Sequence, residues 1–386
     1  MQLRPDFDDY FLPLIEQYEE EHPDVAIRWE DYPATNYETK LMMSFFAHSA
    51  PDVINLSSES VTSYIKNGTI QSIDDYIDSE SRAAYVPRIL SSAGVYKDRL
   101  WCLPWYAVPE VMFVNKQILE EAGMSMEDVP RYYDDLPEFC RQIRERTGKF
   151  GYYPIYTEGS RVQVLLWERG VPITSPDGKQ AAFNTPEAEE VFTFWSDLYF
   201  EGLVPRNSIT ATHRTPIEQY KLGNLALLTA GPQLSRQFKN DAPEVYDATE
   251  VVELPRWSNS EKSLLALMTL AVSKESHHSK EAVDFAVFLT NEANQIEFAK
   301  RTITMPSVTK ALQDPLFQNS DDSLRGRMFA VAARETAKGE VLRPIRNNAM
   351  LNEVLNDVME STLLGRVTPK EALEEAERRI NDVLGR

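Results

Sequence analysis

The sequence is poor in the residues that carry most metal and thiol chemistry. It holds two cysteines, Cys102 and Cys140, and five histidines in 386 residues. The cysteines have no metal-ligand spacing. None of His22, His48, His213, His277 and His278 sits in a His-Glu-x-x-His pattern or within helical reach of a cysteine. No metal or cofactor is therefore expected, and a disulfide-dense scaffold is excluded. The two cysteines read as buried thiols, with a single bridge between them as the alternative. There is no phosphate-cradling glycine loop and no Gly-x-Ser-x-Gly elbow, so the chain offers no positive sign of enzyme chemistry. No apolar run approaches the roughly 20 residues of a membrane-spanning helix. Positive charge is scarce as well: 40 Lys and Arg face 60 Asp and Glu, a formal charge of -20. Such a surface repels phosphate backbones and has no basic stripe, which argues against a nucleic-acid partner. The acid is spread along the chain, as on a solvated surface. Met1-Gln2-Leu3-Arg4-Pro5 has neither the charged nor the apolar region of an export signal. That reads either as a cytosolic protein or as an exported one whose signal lies outside this sequence.

What is present points to an α/β protein. At 386 residues the chain exceeds what one hydrophobic core organises, so two lobes are expected. Phe7, Tyr10, Phe11, Leu14, Ile15 and Tyr18 recur at helical spacing, and Val25 to Trp29 reads as a strand after His22-Pro23. A helix around Tyr37 to Phe46 and a short strand, Val53 to Leu56, follow. Helices are predicted near Val114 to Gly123, Asp134 to Arg146 and Val162 to Glu168. Thr185-Pro186-Glu187 is a helix-opening signature: a capping hydroxyl, a proline at the first position and acid in the first turn. The helix it opens carries Phe192, Trp195 and Tyr199 on a core-facing stripe. Leu225 to Ala230 and Ser263 to Val272 read as buried strands. Ser279 to Phe298 reads as one helix, and Leu351 to Leu384 as helix broken at Gly365 to Pro369. Alternating strands and helices imply parallel β/α units.

Several segments, in order, resemble the extracellular sugar-binding proteins related to maltose-binding protein. They are Ala50-Pro51-Asp52-Val53-Ile54; Arg99-Leu100-Trp101-Cys102-Leu103-Pro104-Trp105-Tyr106; Val114-Asn115-Lys116 with Glu120-Glu121-Ala122-Gly123; and Phe183-Asn184-Thr185-Pro186-Glu187-Ala188 with Asp197 to Pro205. Gly223 to Pro232, Leu270 to Lys274, Met305-Pro306-Ser307 and Thr368 to Leu373 complete the set. Three departures stand out. Part of the family's first strand, which precedes the equivalent of Met1 to Pro5, is lacking. Gln233 stands where an aromatic often follows Gly-Pro. Ser263-Leu264-Leu265 replaces glycines before the long strand.

The resemblance implies a two-lobed periplasmic-binding-protein fold (type II), each lobe a mainly parallel sheet flanked by helices, with the ligand cleft between lobes. The N-terminal lobe would comprise residues 1–108 and 265–304, and the C-terminal lobe 113–260 and 307–386. Hinge crossings would lie at 109–112, 261–264 and 305–306. The implied function is that of the substrate-binding component of an ABC importer. It would be a monomer outside the cytoplasmic membrane, with or without a lipid anchor, that closes on a sugar and delivers it to permease subunits. Glycerol-3-phosphate, a phosphodiester or a glycosyl-polyol is the alternative cargo.

A sugar needs hydrogen-bonding partners for its hydroxyls and flat aromatic faces for its C–H surfaces. The candidates stand where strands or crossings meet loops. Trp101, Trp105 and Tyr106 are read as an aromatic wall, or else as core. Ser57, Ser58 and Glu59 would bind hydroxyls, or cap a helix. Glu110 would face the cleft, or form a hinge ion pair. Tyr156, Glu158 and Trp167 come from the second lobe's entry segment. Gly231 and Gln233 follow a strand where the backbone approaches the ligand. Arg343 and Arg346 would offer guanidinium forks to sugar oxygens or phosphate, or serve in ion pairs.

Overall fold

The computed structural model describes residues 3–4, 7–33, 36–258, 260, 262–318, 323–342, 345 and 347–385. The chain divides into two units, Met1–Ala107 with Ala266–Asp314 and Val108–Leu265 with Pro315–Arg386. It passes between them three times. The third passage follows Asp314 and not residues 305–306, because the intervening segment is tied to the first unit. Met305 and Pro306 pair with Ala107 and Tyr106, and the Thr309 N–H donates to the Ala84 carbonyl at 2.9 Å.

The strands are β1 (Val53–Ser57), β2 (Val95–Tyr96), β3 (Arg99–Leu100), β4 (Cys102–Pro109), β5 (Val111–Asn115), β6 (Phe150–Tyr152), β7 (Leu225–Ala230), β8 (Thr249–Val252), β9 (Ser263–Val272), β10 (Met305–Pro306) and β11 (Gly339–Glu340). The first unit's main sheet runs β1-β9-β4-β10, and the second unit's β6-β7-β5-β8. Both are mixed where mainly parallel sheets were expected: β1 with β9, β10 with β4, and β5 with both β7 and β8 are antiparallel. β6 with β7 and β11 with β9 pair in parallel. β5 and β9 are the strands at two of the crossings between the units, and each runs opposite to the neighbours named here.

Val25 to Trp29 forms no ladder among the described residues. Its residues alternate as a strand's would, but no neighbouring strand supplies hydrogen bonds, and the Ile27 N–H donates to the Glu19 carboxylate at 2.6 Å. The helix predicted from Ser279 is two, Ser279–Leu289 and Glu292–Thr302, because the Asn291 side chain caps the second by accepting from the Asn294 N–H. Val114 and Asn115 belong to β5, and Asn115 caps helix Lys116–Glu121.

The second unit's core gathers Phe183, Phe192, Trp195, Leu355, Leu373 and Ile380, each at most 1% exposed. Helix Leu136–Thr147 lies so close to β6 that a Cβ on Gly151 would fall 2.7 Å from the Cys140 backbone. Cys102 and Cys140 are both free and buried, one in each unit. Burial pushes each thiol up to about 12, which leaves it an inert core group. No helix among the described residues is long and apolar enough to cross a membrane.

Candidate functional site

Strand termini position the candidates, as is usual for ligand sites in α/β sheets. In the first unit, β1 ends at Ser57 and helix Ser58–Lys66 begins at once. The Ser57 hydroxyl is not spent on capping: it donates to Ser60 Oγ at 3.2 Å. Ser58 is buried, while Glu59 is exposed in the helix's first turn. Trp101 is half-buried, with its indole N–H donating to the Tyr96 carbonyl at 3.0 Å.

Trp105 and Tyr106 lie deeper, at 4% and 3% exposure. Their rings pack on Phe298 with centroids 5.3 and 5.2 Å away. These are core contacts, and they leave little ring face for a sugar. The Tyr106 hydroxyl is buried without a hydrogen-bond partner among the described residues, and burial raises its pKa well above the phenolic range.

In the second unit, Glu110 stands between β4 and β5 and pairs with Arg161 at 3.3 Å. Arg161 opens helix Arg161–Glu168, and Glu168 closes it. Burial works against the Arg161 charge, but Glu110 and Glu168 outweigh it and raise its pKa. Burial likewise lifts the Glu168 carboxyl to about 7, against the pull of Arg161. The Tyr133 hydroxyl donates to Glu168 Oε2 at 3.4 Å.

Beside this group, Arg256 reaches Glu253 at 2.6 Å and Glu335 at 3.3 Å. Glu335 is fully buried, and neither its Oε2 nor Ser263 Oγ has a partner among the described residues. Both residues line a cavity of about 10 Å³ with Tyr133, Glu168, Arg256 and Trp257, about the volume of one water. Arg161, Glu168, Arg256 and Glu335 had no signal of spacing in the sequence. The sole clue was acid within an otherwise apolar helix, Val162 to Glu168.

The remaining candidates scatter over the second unit. Tyr156 is fully buried, its ring edge-on to Trp195 at 5.9 Å, and it belongs to the core. Glu158 accepts from the His213 backbone N–H at 2.7 Å and meets its Nδ1 at 2.9 Å. Trp167 is half-buried, with Lys262 Nζ 4.9 Å from its ring centroid. Gly231 follows β7 directly, and the Gln233 side chain folds back over it, so a Cβ there would meet Gln233 Oε1 at 2.3 Å. That Oε1 is buried and unpaired among the described residues. Arg343 and Arg346 lie outside the described residues. Among the described residues, no group of three or more His, Cys, Asp or Glu is arranged to hold a metal ion.

Comparison with known proteins adds a family. The model of the bacterial extracellular solute-binding proteins matches residues 4–296. The structure is similar to that of a protein from Synechococcus sp. MITs9220, proposed to be an oligosaccharide periplasmic-binding protein. The TM-score is 0.87 at 30% identity, covering 98% of this chain and 96% of that one. The cyclic alpha-maltosyl-1,6-maltose binding protein of Arthrobacter globiformis shares the fold, with a TM-score of 0.84 at 22% identity over 98% and 95% of the two chains. The galactooligosaccharide-binding protein of Bacillus subtilis (strain 168) is 22% identical over 372 residues, 94% of this chain and 83% of that protein.

Proposed function

Because the chain belongs to the bacterial extracellular solute-binding proteins, we propose that it captures a sugar or oligosaccharide outside the cytoplasmic membrane. It then hands that sugar, chemically unchanged, to the permease of an ABC importer. The observation that carries this reading is the family match across residues 4–296. The similar proteins named above support a carbohydrate cargo in particular.

We assign sugar binding to the candidates that keep polar atoms or ring faces free of the core. Half-buried Trp101 and Trp167 would lie against the C–H faces of the sugar rings. Gln233 Oε1 and the Tyr106 hydroxyl are buried and unpaired among the described residues. Each such group costs about 1–3 kcal/mol that a sugar hydroxyl would recover. Glu110, oriented by Arg161, would accept hydroxyl hydrogen bonds, with Ser57, Glu59 and Glu158 as further acceptors. Nothing in this set forms a nucleophile with an adjacent base, so binding without turnover is the natural outcome.

A thermal-shift panel of mono-, di- and oligosaccharides, polyols and glycerol phosphates tests the reading. One sugar class at about 100 times its dissociation constant is expected to stabilise the protein by roughly 2.7 kcal/mol. That binding should be insensitive to added salt. A response confined to glycerol phosphates that weakens with salt would replace the sugar by an anion.

A further inference from the structure

Four segments of the second unit, tied together by the fold, build its small buried cavity. β11 follows helix Leu324–Lys338 directly and pairs in parallel with the start of β9, which brings Ser263 to the end of the helix where Glu335 stands. The Tyr133 N–H donates to the Arg256 carbonyl at 2.9 Å, and the Tyr133 hydroxyl reaches Glu168 at the end of helix Arg161–Glu168. All five of these residues line the cavity of about 10 Å³. Two buried polar atoms there, Glu335 Oε2 and Ser263 Oγ, have no partner among the described residues. The other Glu335 oxygen is held by Arg256 at 3.3 Å. Buried polar atoms are almost always hydrogen-bonded, so these two require an occupant. Ser263 belongs to the stretch that replaces glycines of the resembled family, so one of the two atoms is this chain's own.

The charges around the cavity decide what that occupant is. Glu168 feels Arg161 on its own helix, Glu110 from between β4 and β5, Tyr133 and Glu335, and it acts in turn on Tyr152 of β6. Arg256 and Lys262 line the same cavity, and two cationic residues in the lining oppose a metal ion. Three carboxyls, Glu110, Glu168 and Glu335, meet two guanidiniums, Arg161 and Arg256. Glu253 is matched by Arg334 and Lys338, both open to solvent, and the Lys262 ammonium stands over the Trp167 ring. The buried group therefore carries one negative charge too many unless a carboxyl keeps its proton. Glu168 is that carboxyl, since burial lifts it to about 7.

We infer that this cavity is a binding site for a single water molecule, which donates to Glu335 Oε2 and accepts hydrogen bonds from the Ser263 hydroxyl and a protonated Glu168 carboxyl. The volume is that of one water, and three hydrogen bonds are usual for a buried one. Water also suits the mixed chemistry of the lining. Glu335 Oε2 can only accept, whereas the Ser263 hydroxyl and a protonated carboxyl each have a hydrogen to give. A metal ion would satisfy the first and not the other two. The water joins β9, helix Leu324–Lys338 and helix Arg161–Glu168 through side chains that do not otherwise complete their hydrogen bonds. The retained proton also leaves the Arg161 charge to Glu110. It thereby supports the carboxylate assigned above to sugar binding, the one consequence that rests on the proposed function.

A crystal structure of the full chain, grown at about pH 6 so that Glu168 is protonated, tests the site without any variant. A water peak within hydrogen-bonding distance of Glu335 Oε2 and Ser263 Oγ is expected, at a resolution that shows ordered waters elsewhere. A cavity without that peak overturns the inference. Infrared spectra in heavy water test the proton. At about pH 6 the parent should show the carbonyl band of a buried protonated carboxyl, and Glu168→Gln should lack it. Because Glu335 raises the Glu168 carboxyl, Glu335→Gln should move the loss of that band to lower pH by about one unit. No such band in the parent, or an unchanged midpoint in a folded Glu335→Gln variant, would overturn the shared site. The melting temperature should be the same in sodium, potassium and choline chloride at equal ionic strength. Stabilisation by one alkali ion alone would give the cavity to that ion and overturn the water.

Discussion

Glu168 carries the most distinctive local chemistry among the described residues. Burial holds its carboxyl at about 7, whereas an unfolded chain releases that proton near 4.3. Below that value both states are protonated and the group is neutral toward stability. Between about 4.3 and 7 the folded state keeps a proton that the unfolded state has lost, so this contribution to stability falls as pH rises. Above about 7 both states are ionised, and the full cost, on the order of a few kcal/mol, remains. Glu168→Gln is expected to flatten that component, so the melting temperatures of variant and parent should diverge as pH rises from 5 to 7. Parallel curves would show that Arg161 neutralises the site completely. Gly231 allows a second test. Its backbone conformation, φ -68 and ψ 143, suits any residue, and the nearest atoms a Cβ in Gly231→Ala would meet belong to the flexible end of Gln233. The variant should lose less than about 1 kcal/mol of stability. It should nevertheless weaken sugar binding by displacing Gln233, as isothermal titration would show. Unchanged affinity would remove Gln233 from the site.

At the scale of elements, what was legible in the sequence followed from local rules. Leu225 to Ala230 is an unbroken apolar run closed by Gly-Pro, and it is β7. Thr185 caps its helix by accepting from the Ala188 N–H at 3.3 Å. Helix Pro369–Leu384 carries a full capping box between Thr368 and Glu371. Thr368→Ala should therefore cost about 1 kcal/mol, seen as a lower denaturant midpoint at unchanged slope. What was not legible depended on neighbours distant in sequence. Val25 to Trp29 has a strand's alternation, but whether a ladder forms depends on what lies beside it. Trp105 and Tyr106 could have been a sugar platform or core, and the Phe298 ring that packs on both comes from a segment nearly 200 residues further along the chain. Trp105→Ala is accordingly expected to destabilise by about 3–5 kcal/mol, a core effect that thermal unfolding would register without any sugar present. Similarly, Arg161 meets Glu110, and Glu335 meets Arg256, through segments far apart in the chain.

For the whole molecule, the two-unit organisation and the family were visible in the order of short segments, none decisive alone. The third crossing of the chain was misplaced, because the sequence does not show that Met305 and Pro306 pair back onto β4. The identity of the solute belongs to this scale too, since it depends on a few side chains from segments that no spacing rule orders in space. The central claim is that this protein holds a carbohydrate reversibly and unaltered. Its most direct test is calorimetric titration with the sugar class selected by thermal shift, followed by chemical analysis of the sugar recovered after prolonged incubation. One sugar molecule per chain, returned intact, is the result expected. No binding across the carbohydrates, or a sugar recovered cleaved or modified, would contradict the claim.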